Sequence, residues 1–363
     1  MSEPSPERYG SPHDGRPSLP SLVWGARSDA LHHHMMLERC FDGREARWSD
    51  ALIARTRRHI GGCIAAVEMG FRVEMANTAI AGLNLVDALP QDYCWRALQH
   101  RPTLLSTALL RHFRDRAALS LMGQEAGDVP GAMEEIRQDA ALAPDAAQTL
   151  SALALVQAGW KDTGPDHLAM RADLPAEAMQ DLVWTVGALV TEALVRSDLL
   201  PASDAVVLVD RAGHALLARH DEQNSPFALA ALLALQMSGA PATGDQLVSL
   251  ARGRHVMALI GLMAQRNAMD VVPLTSAVVE TSEQMVFNLC RAADFPREVA
   301  VRLVLGRRSV SRGVEDSVLV EYADRYEQMA REDAQAAVIT LRLDEIFRDR
   351  LSALGHEAGR HVG

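Results

Sequence analysis

Apolar positions in residues 225–306 coincide when the sequence is displaced against itself by 27 residues. Leu232, Leu259 and Val286 align, as do Leu233, Ile260 and Phe287, and Leu235, Leu262 and Leu289. Each set occupies the i, i+1, i+3 positions of a helix buried over a broad face. The intervening helix repeats twice, pairing Leu247 with Leu274, Leu250 with Ala277 and Ala251 with Val278. The coincidence ends upstream at His220 and Asn224, and downstream at Gly313 and Asp316. One helical pair cannot bury its apolar face alone, so stacked pairs sharing a core are predicted. The period is shorter than the roughly 34 to 47 residues of familiar helical repeats.

The rest of the chain is also patterned for helices. Ser49 is placed to cap a helix reaching about Ala76, with Gly61-Gly62 as an interruption. Leu105, Leu109, Phe113 and Ala117 lie on one face of a helix over 103–122. Further helices are predicted over 19–41, 91–98, 145–159 and 175–196. At Leu89-Pro90, Leu174-Pro175 and Phe295-Pro296 an apolar residue precedes proline and an acid follows two residues later, a helix-start signal. Thr243 with Gln246 fits a capping box. From Val314 to Leu354 there is neither Pro nor Gly. Acid–Arg pairs at i, i+4 (Glu321–Arg325, Glu327–Arg331, Asp344–Arg348) and the stripe Leu343, Ile346, Phe347, Leu351 and Leu354 predict amphipathic helices that close the array or serve dimerisation. The expected organisation is a disordered tail (1–18), an N-terminal helical region (19–160), a linker (161–172), a helical-repeat region (173–312) and C-terminal capping helices (313–358). The fold class is all-α, with a HEAT-like α-solenoid in the C-terminal half.

Composition narrows the function. Aromatic residues are 4% of the 363, and no two strand-like runs flank an Asn-Gly or Asp-Gly turn, which agrees with helix. Formal net charge is −11, so nucleic acid and anionic membrane are poor partners for the whole surface. Cys40, Cys63, Cys94 and Cys290 form no metal or disulfide spacing and read as reduced thiols of a cytoplasmic protein. No transmembrane helix or targeting segment is expected.

Three clusters carry candidate chemistry. His32, Met36 and Cys40 share a helix face beside His33 and His34, a soft-metal pattern without the fourth ligand that structural zinc takes. His59 and Cys63 stand at i, i+4 beside Arg57 and Arg58, where cationic neighbours favour a thiolate; the competing reading is a buried core cysteine. Residues 252–312 hold nine arginines against five acids within an acidic chain. Guanidinium forks suit carboxylate and phosphate, and the competing reading is solvated surface charge. The strongest candidates are Arg252, Arg254, Arg307 and Arg308. No hydrolase elbow, P-loop, dinucleotide fingerprint or zinc-protease motif is present.

The texts LVSLARGRHVMALIGLMAQRN and LTSAVVETSEQMVFNLCRAADFPREVAVRLVLGRR, with the charged segment after them, resemble an uncharacterised proteobacterial family, a domain of unknown function. In that family short Leu/Ala-rich helix pairs stack like HEAT repeats. The resemblance covers the C-terminal half, implies the fold, and brings no catalytic residues. The expected function is a non-enzymatic protein-binding or scaffolding module, without cofactor or metal, presenting an Arg-rich stripe to an acidic or phosphorylated protein. The alternatives are a nucleic-acid or phospho-ligand module on the same stripe, and an all-helical enzyme around His59 and Cys63.

Overall fold

The computed structural model describes residues 37, 48–77, 89–124, 142–311, 316–343 and 347. The chain divides into two units, Ala30–Arg342 and Met1–Asp29 with Leu343–Gly363. The first holds fourteen α-helices among the described residues, so the fold is all-α. They are α1 (Asp50–Asn77), α2 (Tyr93–His100), α3 (Thr107–Met122), α4 (Pro144–Ala158), α5 (Ala176–Arg196), α6 (Ala202–Ala218), α7 (Pro226–Gln236), α8 (Gly244–Arg252), α9 (Val256–Arg266), α10 (Val271–Glu280), α11 (Glu283–Ala292), α12 (Arg297–Gly306), α13 (Asp316–Arg325) and α14 (Arg331–Val338). The expected tail 1–18, the helix over 19–41 apart from Leu37, and most of the stripe beyond Leu343 lie outside the described residues.

Local signals set many boundaries. The Leu52 amide donates to Ser49 Oγ at 3.1 Å and fixes the start of α1. Thr243 and Gln246 form both bonds of the capping box, at 3.3 and 2.9 Å. Pro175 and Pro296 take the N-cap of their helices with extended ψ, and Pro201, after Leu200, does the same for α6. Their acids Glu177, Asp204 and Glu298 fall in the first turn, at the positive end of the helix dipole.

Gly61-Gly62 does not interrupt α1. The pair lets the segment 161–172 cross the helix at backbone distance: a Cβ on Gly61 would collide with the Asp166 carbonyl, and one on Gly62 would come within 2.6 Å of the Met170 side chain. The Met170 amide donates to Gly62 O at 2.8 Å, and Arg58 donates to Leu168 O at 2.7 Å. The expected linker is therefore a strap fastened to α1, and it separates no units.

Helix α3 packs against α1, α5, α9, α10 and α12, which explains why thirteen of its sixteen residues are buried. Its first half (Leu109, Leu110, Phe113) belongs to a core shared with α1, α2, α5 and α6. Its second half (Ala117, Ala118, Leu119, Leu121, Met122) belongs to a core shared with α4 and α7–α14. Helix α5 is long and apolar enough to cross a membrane by length and composition, but Leu182, Val186, Leu189 and Val190 are buried in the first of these cores.

The 27-residue register survives only in part. Leu233, Ile260 and Phe287 are all buried, and α7 packs against α9. Leu259, Leu262, Val286 and Leu289 are buried, whereas their counterparts Leu232 and Leu235 on α7 are exposed. Helix α8 packs on α9 and on α12, while α10 packs on α9, α7 and α3. The charged C-terminal segment forms two helices, broken where Met329 and Ala330 are extended.

Candidate functional site

The arginines of 252–308 scatter. Arg307 is buried; it donates to the carbonyls of Thr281 and Val279 and lies 3.8 Å from Glu283, and burial lowers its pKa. It ties residues 307–309 to the end of α10 and is unavailable at the surface, contrary to the expectation for it. Arg254 is half-buried in a left-handed turn (φ 59°) after α8, with its Nη1 enclosed. Arg308 pairs with the exposed Asp316. Arg266 donates to the carbonyls of Ala242, Ala293 and Asp294 and lies over the Phe295 ring, and Arg291 donates to Met329 O at 2.7 Å. These side chains close loops. Arg312 lies outside the described residues.

Arg252 is different. At the last turn of α8 its side chain is 63% exposed, and it meets Glu298 of α12 through Nε at 3.1 Å and Nη2 at 3.4 Å. Arg302, 44% exposed and one turn along α12, donates to the same carboxylate at 3.2 and 3.1 Å. Hydrogen bonding from Arg252, and then from Arg302, holds the Glu298 carboxyl below the usual range. Two guanidinium forks thus converge on one carboxylate at the surface. Arg252 was legible as a candidate and Arg302 was not singled out, although Glu298 and Arg302 stand at i, i+4.

A second polar cluster is buried where α1, α3 and the strap meet. The Trp160 carbonyl accepts from Arg55 Nη1 (2.8 Å), Ser120 Oγ (2.8 Å) and His59 Nε2 (3.0 Å). Because a carbonyl only accepts, Nε2 carries the His59 proton, and Nδ1 has no partner. Trp160 Nε1 donates to Asp173 at 3.0 Å. Arg116 approaches the other Asp173 oxygen at 2.9 Å, in an alignment too poor for a directed hydrogen bond, so this contact acts as an ion pair. Arg116 also donates to Cys63 Sγ (3.2 Å) and to Arg171 O (3.1 Å), and its guanidinium lies 5.1 Å from the Trp160 ring centre.

Burial decides the chemistry here. It raises the Cys63 pKa despite Arg116, and it holds His59 neutral, well below its ordinary pKa, with Arg116 adding to the effect. Cys63 is fully enclosed, so the neutral thiol is a core group accepting a hydrogen bond, not the thiolate that its cationic neighbours pointed to. Arg57 turns instead toward Asp166 of the strap, at 3.5 Å. The cluster joins elements; it does not expose a nucleophile. His32, Met36 and Cys40 lie outside the described residues, and among the described residues no group of three or more His, Cys, Asp or Glu side chains could hold a metal ion.

The sequence pattern assigned Leu232 and Leu235 to the core, and the structure turns them out. Ala228, Ala231, Leu232 and Leu235 follow i, i+3, i+4, i+7 along the outward face of α7, with Leu232 43% and Leu235 66% exposed. Helix α4 packs against α7 and exposes Leu155 to 77%. From Pro226 to Ser238 no residue is charged. A helix apolar all round was the available signal, because such a helix normally lies inside.

No curated protein and no solved structure matches this chain. One family profile, described as an uncharacterised protein conserved in bacteria (DUF2336), matches residues 137–338, from just before α4 to the end of α14. The stretch covers more than half of the sequence and contains the texts on which the resemblance rested, and the chain therefore belongs to the DUF2336 family.

Proposed function

We propose that the chain is a non-enzymatic protein-binding or scaffolding module of the bacterial cytoplasm. In this reading α7–α12 act as a short HEAT-like stack, and the face of α7 is where a partner adds. The observation that carries it is the uncharged stripe of Ala231, Leu232 and Leu235, exposed while the counterparts of its two leucines on α9 and α11 are buried. Contiguous exposed apolar side chains on a folded domain mark interaction surfaces. A photo-crosslinking amino acid at Leu235, introduced in the native bacterium, is expected to trap a discrete protein partner. The same probe at Arg325, exposed on α13 where it pairs with Glu321, is expected to trap none. Equal crosslinking from both positions would refute the reading.

A second chemistry is favoured by the convergence of Arg252 and Arg302. It is recognition of an anionic group, on an acidic or phosphorylated protein or on nucleic acid. Nucleic-acid binding would weaken steeply with salt, by about 0.7 to 0.9 decades per decade of salt for each phosphate contacted.

A further inference from the structure

We propose that the Arg252–Arg302 pair receives a carboxylate-rich segment of a partner protein, and that Glu298 is an intramolecular competitor that this segment displaces. The inference rests on the protein-binding reading above and names the polar chemistry of the contact.

The geometry is that of an occupied carboxylate receptor. Arg252 comes from α8, and Arg302 and Glu298 come from α12, so two packed helices fix the spacing of the forks. Four guanidinium nitrogen-to-oxygen distances of 3.1 to 3.4 Å are made to one side chain. All three side chains are substantially exposed, Glu298 itself to 39%. An exposed ion pair is weak, so exchanging Glu298 for an external carboxylate costs little. The buried arginines cannot exchange in this way, since stranding one member of a buried pair is strongly destabilising.

The surroundings distinguish this pair from a superficially similar one. Glu192 of α5 is likewise held by two arginines, Arg101 at 2.6 Å and Arg196 at 2.7 Å. Helix α5 itself carries Glu177, Asp181 and Glu192 against Arg196, with Asp198 just beyond its end, a more acidic setting for an acidic segment. The last turn of α8 and the whole of α12 carry Arg252, Arg297 and Arg302 against the single acid Glu298, and all three arginines are exposed. Arg297, which reaches Asp324 at 3.0 Å, extends the basic character along α12. In a chain of net charge −11 an acidic partner is repelled over most of the surface and drawn to this one.

The test uses the full chain and a fluorescein-labelled hexaglutamate peptide at low ionic strength, read by polarisation. Glu298→Gln is expected to bind the peptide about fivefold more tightly than the unaltered chain, the equivalent of about 1 kcal/mol. Glu192→Gln is expected to leave binding unchanged, and Arg252→Ala with Arg302→Ala to abolish it. Loss in the double variant with no gain from Glu298→Gln would overturn the competitor role and leave the arginine pair as the receptor. Absence of binding by both the unaltered chain and Glu298→Gln would overturn the receptor itself; crosslinking at Leu235 would then show separately whether the protein-binding reading survives. Displacement of the peptide by an RNA oligonucleotide at a lower concentration than by unlabelled hexaglutamate would assign the pair to nucleic acid and overturn the proposal. Far-UV circular dichroism, unchanged across these surface variants, confirms that each is folded.

Discussion

Replacing Arg116 with methionine tests whether the buried cluster fastens α1, α3 and the strap into one body. Arg116 is fully enclosed, so methionine keeps much of its packing volume while removing the charge. The change deletes the 2.9 Å approach to Asp173, the donors to Cys63 Sγ and Arg171 O, and the contact with the Trp160 ring. It leaves the Asp173 carboxylate buried without its cation, with the Trp160 indole N–H still donating to it. Stranding one member of a buried ion pair costs about 3–5 kcal/mol, a large share of the 5–15 kcal/mol typical of a folded protein. The Asp173 carboxyl is already raised by burial, so without Arg116 it protonates more readily, and the loss is smaller near pH 5 than near pH 7.5. Urea unfolding followed by far-UV circular dichroism gives the loss at each pH. The double variant Arg116→Met with Asp173→Asn is expected to cost at least about 1 kcal/mol less than the sum of the single changes, because the charges are removed together. A single-variant loss below about 1 kcal/mol near pH 7.5, or strict additivity, would refute the claim that this pair is held by mutual compensation.

Burial lowers His112 to about 3 and His255 to about 4, so both are neutral when folded and charge on unfolding below about 6.5. Their contribution is complete above pH 6.5 and is lost as pH falls toward their folded values, at about 2 kcal/mol each by pH 5; the raised carboxyls of Asp115 and Asp173 act in the opposite sense. His112→Leu should therefore flatten the pH dependence of the urea midpoint between about pH 6.5 and 5, and an unchanged slope would contradict it. Lys161, the only lysine in the chain, is exposed at the start of the strap. Gly61→Val, which forces the strap off α1, should accelerate lysine-specific cleavage there, and cleavage at the unaltered rate would count against the strap being pinned. The family segment 137–338 expressed alone loses α1 and α3 from the core around Leu182, Val186, Val190 and Leu208. Each side chain is worth about 1.5–3 kcal/mol when buried, so the segment should unfold without a sharp transition. A cooperative transition like that of the full chain would show that the segment is self-sufficient.

Much of the architecture was legible because its causes are local. Ser49 as a cap and the Thr243–Gln246 box each depend on residues within four positions and appear as read; Leu109, Phe113 and Ala117 are buried on α3, but Ser106 caps that helix and leaves Leu105 extended before it. Gly61-Gly62 was misread because its meaning lies in a segment about a hundred residues away; glycine breaks an isolated helix but admits a crossing backbone in a packed one. Arg116 and Arg307 carried no mark of burial, since their partners, among them Asp173 and the Thr281 carbonyl, are remote in sequence. The 27-residue match placed Leu233, Ile260 and Phe287, which are buried, but not the open apolar face of α7, because a match in sequence does not fix what packs on the outer side. The four arginines chosen by charge density divided by environment, leaving Arg252 displayed and Arg307 enclosed.

The central claim is that this molecule acts through its outer helical face. Affinity capture with mass spectrometry from the native bacterium, comparing the full chain with the Leu232→Glu, Leu235→Glu variant, tests it most directly. Both side chains point outward, so the variant is expected to keep the helical signal and urea midpoint of the unaltered chain. The account predicts a reproducible partner that the unaltered chain recovers and the variant loses. Equal recovery of every captured protein by the two would contradict it.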